Sequence, residues 1–144
     1  MKLASGARES SERVAYGRLL WVGPLAGAIT AVVNAVVYLL ASALGAMHLD
    51  VVVPGQGPVT LSAVVSISFV PALLGALLFA VMGRFARRPI RTFRVAAAVV
   101  LVLSVAMPFT LPSAPVAMIR ALLMLHVIAA VAITGVLTTL GRRG

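Results

Sequence analysis

The sequence contains no cysteine, only three acidic residues and only two histidines. Without cysteine the chain has no disulfide, no thiolate nucleophile, no iron–sulfur cluster and no cysteine-ligated zinc. Its acidic residues, Glu9, Glu12 and Asp50, all lie outside the long apolar segments, so no carboxylate pair is available there for acid–base catalysis. We therefore expect a protein that is not an enzyme and that holds neither a metal ion nor a cofactor.

Charge of either sign is also scarce. Charged residues make up 10% of the 144 residues, whereas hydrophobic residues make up 62%. A soluble domain carries about 25% charged residues, and a fold of this size has too little interior to hide so much apolar surface. The composition therefore predicts an integral membrane protein.

Four segments are apolar over the roughly 20 residues that a transmembrane helix requires. Their bounds are about 19–44, 61–82, 93–111 and 116–140. The sequence thus predicts an all-α fold, a transmembrane four-helix bundle formed by residues 16–144, preceded by a cytoplasmic tail over residues 1–15.

The basic residues indicate how the bundle is oriented. Eleven of the twelve precede the first span, lie around the link between spans two and three, or follow the fourth span; the remaining one is Arg120. Short loops rich in Lys and Arg stay in the cytoplasm. We expect a multi-pass protein of the cytoplasmic membrane with both termini inside. The dominance of Arg over Lys is typical of a GC-rich bacterial genome, which favours a bacterial inner membrane.

The link between spans two and three is short and strongly basic. We expect its side chains to contact the headgroups of anionic lipids. Nucleic acid is not an expected partner, because the link is short and few aromatic residues accompany it. The residues concerned are Arg84, Arg87, Arg88 and Arg91.

The link between spans one and two, residues 47–60, is longer. A β-branched run, a Pro/Gly-rich turn and a second apolar pair predict a short hairpin, which is expected to lie across the outer end of the bundle. Asp50 in this link and Arg120 at the start of span four are the candidates for an ion pair that anchors the loop. Alternatively, Arg120 extends toward lipid phosphates.

Small residues predict which spans pack closely. Gly23 and Gly27 are four residues apart in span one, and Ala72, Ala76 and Ala80 repeat at the same interval in span two. Such strips allow helix backbones to approach each other in a membrane.

Asn34 and His126 are the most polar side chains within the spans. At about 1.5 Å per residue, both lie about 20 Å from the inner ends of their helices. Ser68 falls near the same depth, and Thr30, Asn34 and Tyr38 follow one side of span one. We consider two interpretations. These residues form structural hydrogen bonds, or they line a polar cavity, open to the outside, that binds a ligand or passes a proton.

The four-span pattern, the first helix with Asn34, the outer loop from Asp50 to Pro54 and the Met124-x-His126 stretch resemble small uncharacterised bacterial four-helix membrane proteins of unknown-function families. The resemblance covers residues 19–140. It implies the four-helix membrane fold and carries over no activity.

Four functions are compatible with these observations to different degrees. The first is a structural or accessory protein that associates with itself or with another membrane protein. The second is a small transporter or channel component that uses the polar layer. A haem-binding subunit is disfavoured because His48, one of the two histidines, lies in a loop. An intramembrane enzyme is disfavoured because the spans contain no nucleophile–base pair.

Overall fold

The computed structural model describes residues 13–142 and shows four long helices. Helix α1 is Tyr16–Ala43, α2 is Leu61–Phe85, α3 is Pro89–Ala106 and α4 is Val116–Leu140. A short 3₁₀ turn, Met107–Thr110, extends α3. Each helix, with the 3₁₀ turn counted into the third, is long and apolar enough to span a membrane. The predicted all-α bundle of four spans is confirmed.

Helix ends follow local sequence. The hydroxyl of Thr60 accepts a hydrogen bond from the Ala63 amide at 3.2 Å and so caps α2. Pro89 occupies the first turn of α3, where its missing N–H costs nothing, so this helix begins four residues before the predicted span. Pro71 lies within α2, which continues through it as one helix.

Helix α1 packs against α2 and α4, and α3 packs against the same two helices from the opposite side. The α1–α2 contact is close where small residues meet, because a Cβ atom added to Gly23 would lie 2.8 Å from the Cβ atom of Ala76. One added to Gly27 would lie 2.7 Å from the ring of Phe69. The predicted packing of spans one and two along small residues is confirmed.

The two ends of the bundle differ. We call one the basic end; it carries the α2–α3 link and both ends of the described chain, and its core contains Phe79 and Phe93, whose ring centroids are 5.0 Å apart. We call the other the hairpin end. There Val52–Val53 pairs antiparallel with Gly57–Pro58. The predicted short hairpin is therefore present.

The hairpin packs onto the bundle through buried valines, among them Val53 and Val59. Gly55 and Gly57 adopt positive φ angles of 76° and 85°, which a residue with a side chain rarely adopts, and so allow the tight turn. The hydroxyl of Tyr38 donates to the carbonyl oxygen of Val59 at 3.0 Å and ties the hairpin to α1.

The segment before α1 is part of the bundle rather than of a tail. Val14 and Ala15 are buried, and the Ala15 amide donates to the Gly141 carbonyl oxygen at 2.8 Å. Val14 also forms a β-bridge with Arg142. A Cβ atom added to Gly83 would lie 2.6 Å from Val14 Cγ2, so α2 joins this contact. The tail predicted over 1–15 therefore ends earlier than expected, and its first twelve residues lie outside the described part.

Candidate functional site: a cavity between helices α2, α3 and α4

A cavity of about 570 Å³ lies between α2, α3 and α4. Sites for small molecules typically have volumes of about 300–1,000 Å³. Its lining is mostly apolar, and the hairpin residues Gln56, Gly57 and Pro58 border it at one end. The polar side chains in its lining are those of Asn34, Gln56, Ser68, Ser104, His126 and Thr134.

Small residues and a loosely packed helix explain why space remains here. Ala97 of α3 and Ala129 and Ala130 of α4 line the cavity without filling it. In the apolar stretch of α3 only 11% of residues are buried, against 39% in α1. Helix α3 contacts its neighbours mainly near its two ends, where Phe93 and Pro108 are buried. The middle of α3 therefore forms one wall of the cavity.

The cavity reaches the lateral surface of the bundle between α2 and α3. Its lining includes Ile67 and Leu74 of α2 and Val100 of α3, which are all at least half exposed on the outer surface. At Gly75 α2 packs closely against α4, because an added Cβ atom would lie 3.3 Å from both Ile133 Cγ2 and Leu137 Cδ1. The exposed residues of the lining therefore place the opening of the cavity on the side of the bundle between α2 and α3.

Asn34 is the only residue of α1 in the lining within the described chain. Its Nδ2 donates to Ser68 Oγ at 2.9 Å and to the Leu125 carbonyl oxygen at 3.4 Å. A carbonyl oxygen only accepts, so this contact fixes which end of the amide carries the hydrogens. The Oδ1 atom then points away from both partners, and within residues 13–142 it is buried without a hydrogen bond.

His126 lies in the wall of the same cavity, and its Nδ1 is 2.7 Å from the Leu122 carbonyl oxygen. Because that oxygen only accepts, Nδ1 carries the hydrogen, and in the neutral imidazole Nε2 is the acceptor. Nε2 has no hydrogen-bond partner among the described residues. Asn34 is bonded to the residue before His126, so the predicted common depth of the two side chains is found in the structure, although they do not bond to each other.

Of the other three residues proposed for the polar site, only Ser68 lines the cavity, and Thr30 and Tyr38 do not. Thr30 is fully buried and donates to the Ala26 carbonyl oxygen of its own helix at 2.7 Å. Tyr38 is buried beneath the hairpin. Both face the interior as predicted, but neither lines the cavity. Ser68 does line it and holds Asn34.

The expected ion pair between Asp50 and Arg120 is not formed. Asp50 Oδ1 instead lies 3.8 Å from His48 Nδ1, within the same loop. Arg120 is exposed and has no ion pair within the part of the chain that the structure describes. The hairpin is held by apolar packing and by the Tyr38 hydrogen bond, so no charge is needed to anchor it.

The four arginines proposed to contact lipid headgroups, Arg84, Arg87, Arg88 and Arg91, are all exposed at the basic end. They form no salt bridge with another residue of 13–142. No group of three or more potential metal ligands occurs in the same range.

No pattern in the sequence indicates the apolar part of the cavity. Ala97, Ala129 and Ala130 looked like ordinary small residues of membrane helices, and their common role depends on where α3 lies relative to α4. One further polar residue of the lining, Ser104, falls near the depth of Asn34 when residues are counted along α3.

Four helices that are each long and apolar enough to span a membrane define a multi-pass membrane protein. The chain belongs to a family of unknown function, DUF6069, whose model matches residues 14–143. Comparison with curated proteins and comparison with solved structures found no match.

Proposed function

We propose that this protein binds a small molecule from the bilayer in the cavity between α2, α3 and α4, without transforming it. One observation carries the proposal: the wall of a 570 Å³ cavity contains His126, whose Nε2 has no hydrogen-bond partner among the described residues. Asn34 Oδ1 also lacks a donor there, but it is completely buried and becomes available only when the amide rotates. An accessible polar group without a partner is expected to be satisfied by a ligand or by water.

The absence of acidic residues from the sequence of the four helices supports binding rather than catalysis or ion-coupled transport. Intramembrane carboxylates are the usual carriers of protons and cations in pumps and transporters. The protein therefore has the ligand site of the transporter alternative, but it does not couple movement of the ligand to protons or cations.

A second candidate is an accessory role in which the bundle associates with a second copy or with another membrane protein. The low burial of α3 favours this candidate, because 11% of the residues in its apolar stretch are buried, the lowest share among the four helices. Association through α3 would narrow the lateral opening of the cavity, whereas binding of a molecule from the bilayer needs that opening free.

Cross-linking in native membranes tests the accessory role. The variant Val102→Cys, at a position that is 71% exposed, is expected to give a cross-linked partner only under this second candidate.

We place the protein in the bacterial cytoplasmic membrane with the basic end inside, where Arg84, Arg87, Arg88 and Arg91 contact anionic lipids. The positive charge of this end supports that orientation. Because the chain has no cysteine, single-cysteine variants give a clean test. A membrane-impermeant maleimide is expected to label Asp50→Cys, in the exposed outer loop, on intact cells and Arg87→Cys only after permeabilisation. Labelling of Arg87→Cys on intact cells would reverse the orientation.

Filling the cavity tests the binding function. The double variant Ala97→Leu/Ala130→Leu places two larger side chains in the cavity wall, whereas Ala28→Leu makes the same change at an exposed position of α1. Native mass spectrometry of the full chain, incubated with a total lipid extract of the expression host, counts retained lipids. We expect one retained lipid per chain for the wild type and for Ala28→Leu, and at least fivefold lower retention for the double variant. Equal retention by all three proteins would overturn the proposal.

A further inference from the structure

We infer that the ligand is an uncharged long-chain alcohol: an apolar chain with a hydroxyl head that donates a hydrogen bond to His126 Nε2. This inference rests on the proposed binding function and specifies the chemical class of the ligand. It follows from the hydrogen-bonding character of the polar groups in the wall, from the charge of the lining, and from the shape of the cavity.

The polar groups in the middle of the cavity call for a donor. The hydrogen on Nδ1 of His126 is directed to the Leu122 carbonyl oxygen, so in the neutral ring only the Nε2 acceptor remains. Both hydrogen bonds of Asn34 are donated by Nδ2, so its acceptor atom, Oδ1, has no partner among the described residues. Two neighbouring acceptors without donors favour a ligand with a hydroxyl group over a ketone, an ester or an ether.

The two acceptors differ in how easily a ligand reaches them. Asn34 Oδ1 is completely buried, so a hydroxyl contacts it only after the amide rotates. His126 is partly buried and lies in the cavity wall, so Nε2 is the first acceptor that an entering hydroxyl meets. Ser68 Oγ, which accepts from Asn34, retains its own hydrogen for the oxygen of the ligand.

The lining excludes a charged head. Within the described chain it contains no Lys, Arg, Asp or Glu. Transfer of an unpaired charge into an apolar environment is strongly unfavourable. With His126 neutral, a carboxylate or a phosphate headgroup finds no counter-ion in this lining, whereas a hydroxyl finds both an acceptor and a donor.

The shape of the cavity places the apolar chain. From the level of His126 the cavity continues toward the basic end past Ala97, Ala129 and Ala130, and it opens to the side between Leu74 and Val100. The walls of this part are apolar, so they suit a hydrocarbon chain. The hydroxyl then lies at the polar layer, and the chain occupies the space that the alanines leave free.

Three probes with the same chain length test the inference: 1-octadecanol, octadecyl methyl ether and octadecanoate. The ether keeps the oxygen but has no donor. Binding to the full chain is measured by native mass spectrometry as a competition between pairs of probes. A net hydrogen bond contributes about 0.5–1.5 kcal/mol, so we expect the wild type to prefer the alcohol over the ether by about 2- to 13-fold. Octadecanoate is expected to bind more weakly than the alcohol.

Two single variants separate the acceptors. His126→Leu removes Nε2 and is expected to abolish the preference for the alcohol while binding of the ether persists. Asn34→Leu is expected to reduce the preference only in part, because its acceptor is less accessible. If Asn34→Leu fails to fold, His126→Leu still decides the outcome, since the ring bonds only to its own helix.

The outcomes distinguish the inference from the function on which it rests. Equal binding of alcohol and ether by the wild type, or tighter binding of octadecanoate, would overturn the inference while the cavity remains a binding site. A preference that survives in His126→Leu would also overturn it. If no probe binds, or if each binds equally well to the Ala97→Leu/Ala130→Leu variant, the binding function itself fails.

Discussion

Helices α1 and α3 occupy opposite sides of the bundle, contact the same two neighbours and yet pack very differently. In their apolar stretches 39% of the residues of α1 are buried, but only 11% of those of α3. Glycines bring α1 close to α2, whereas alanines on α3 and α4 leave a cavity between them. Small residues thus accompany close packing on one side of the bundle, where the backbones lie near each other. On the other side, where the backbones lie farther apart, they leave free space.

The largest expected effect is on the α1–α2 contact. Gly23→Leu places a side chain where an added Cβ atom already lies 2.8 Å from Ala76, so the helices must separate. We expect the free energy of unfolding in mixed micelles to fall by about 3 kcal/mol. The matched control is Gly135→Leu, since no atom lies within 4 Å of an added Cβ atom at Gly135. A similar loss for both variants would show that the close approach of α1 is not needed.

A smaller loss in the free energy of unfolding is expected from single Val→Ala substitutions, one made on α1 and the other on α3. Val22 of α1 is fully buried and Val102 of α3 is 71% exposed. We expect Val22→Ala to destabilise the bundle by about 1 kcal/mol, because it opens a void, and Val102→Ala to have almost no effect. Denaturation of the two variants under identical detergent conditions measures the difference. Equal losses would mean that α3 is covered as fully as α1, for example by a partner.

The smallest effect concerns polar side chains. Asn34 of α1 bonds to α2 and α4, whereas Ser104 Oγ of α3 bonds to the Leu101 carbonyl oxygen of its own helix at 2.9 Å. Hydrogen bonds between membrane helices contribute about 0.6–1.7 kcal/mol. Asn34→Leu loses these bonds but also removes the unpaired Oδ1, which offsets part of the loss. We therefore expect it to lower the unfolding free energy by about 0.5 kcal/mol, and Ser104→Ala to leave it unchanged. A neutral Asn34→Leu variant would contradict an interhelical role for this amide.

The same contrast explains what the sequence was able to predict. The four spans, the hairpin and the close packing at Gly23 follow from local patterns of apolar, turn-forming and small residues, and the structure contains them. The position of Asn34 followed from counting residues along a helix. These predictions depend only on short stretches of chain.

The remaining features depend on contacts between distant segments. The apolar pattern alone puts the start of α3 at residue 93, because Pro89, in the first helical turn, resembles part of a link. The packing of Val14 was missed because its partners, Gly83 and Arg142, lie far along the chain. The cavity was missed because its volume is set by the distance of α3 from α4, and no local pattern encodes that distance.

The pairing of Ala15 with Gly141 has a consequence for the order of assembly during synthesis. The two partners lie on either side of all four helices, so this contact is absent until the fourth helix has left the ribosome. Until then Val14 lacks its β-bridge to Arg142, although Gly83 of α2 can already contact it. A nascent chain halted before residue 141 would therefore leave this apolar segment less covered at the basic end than it is in the completed bundle.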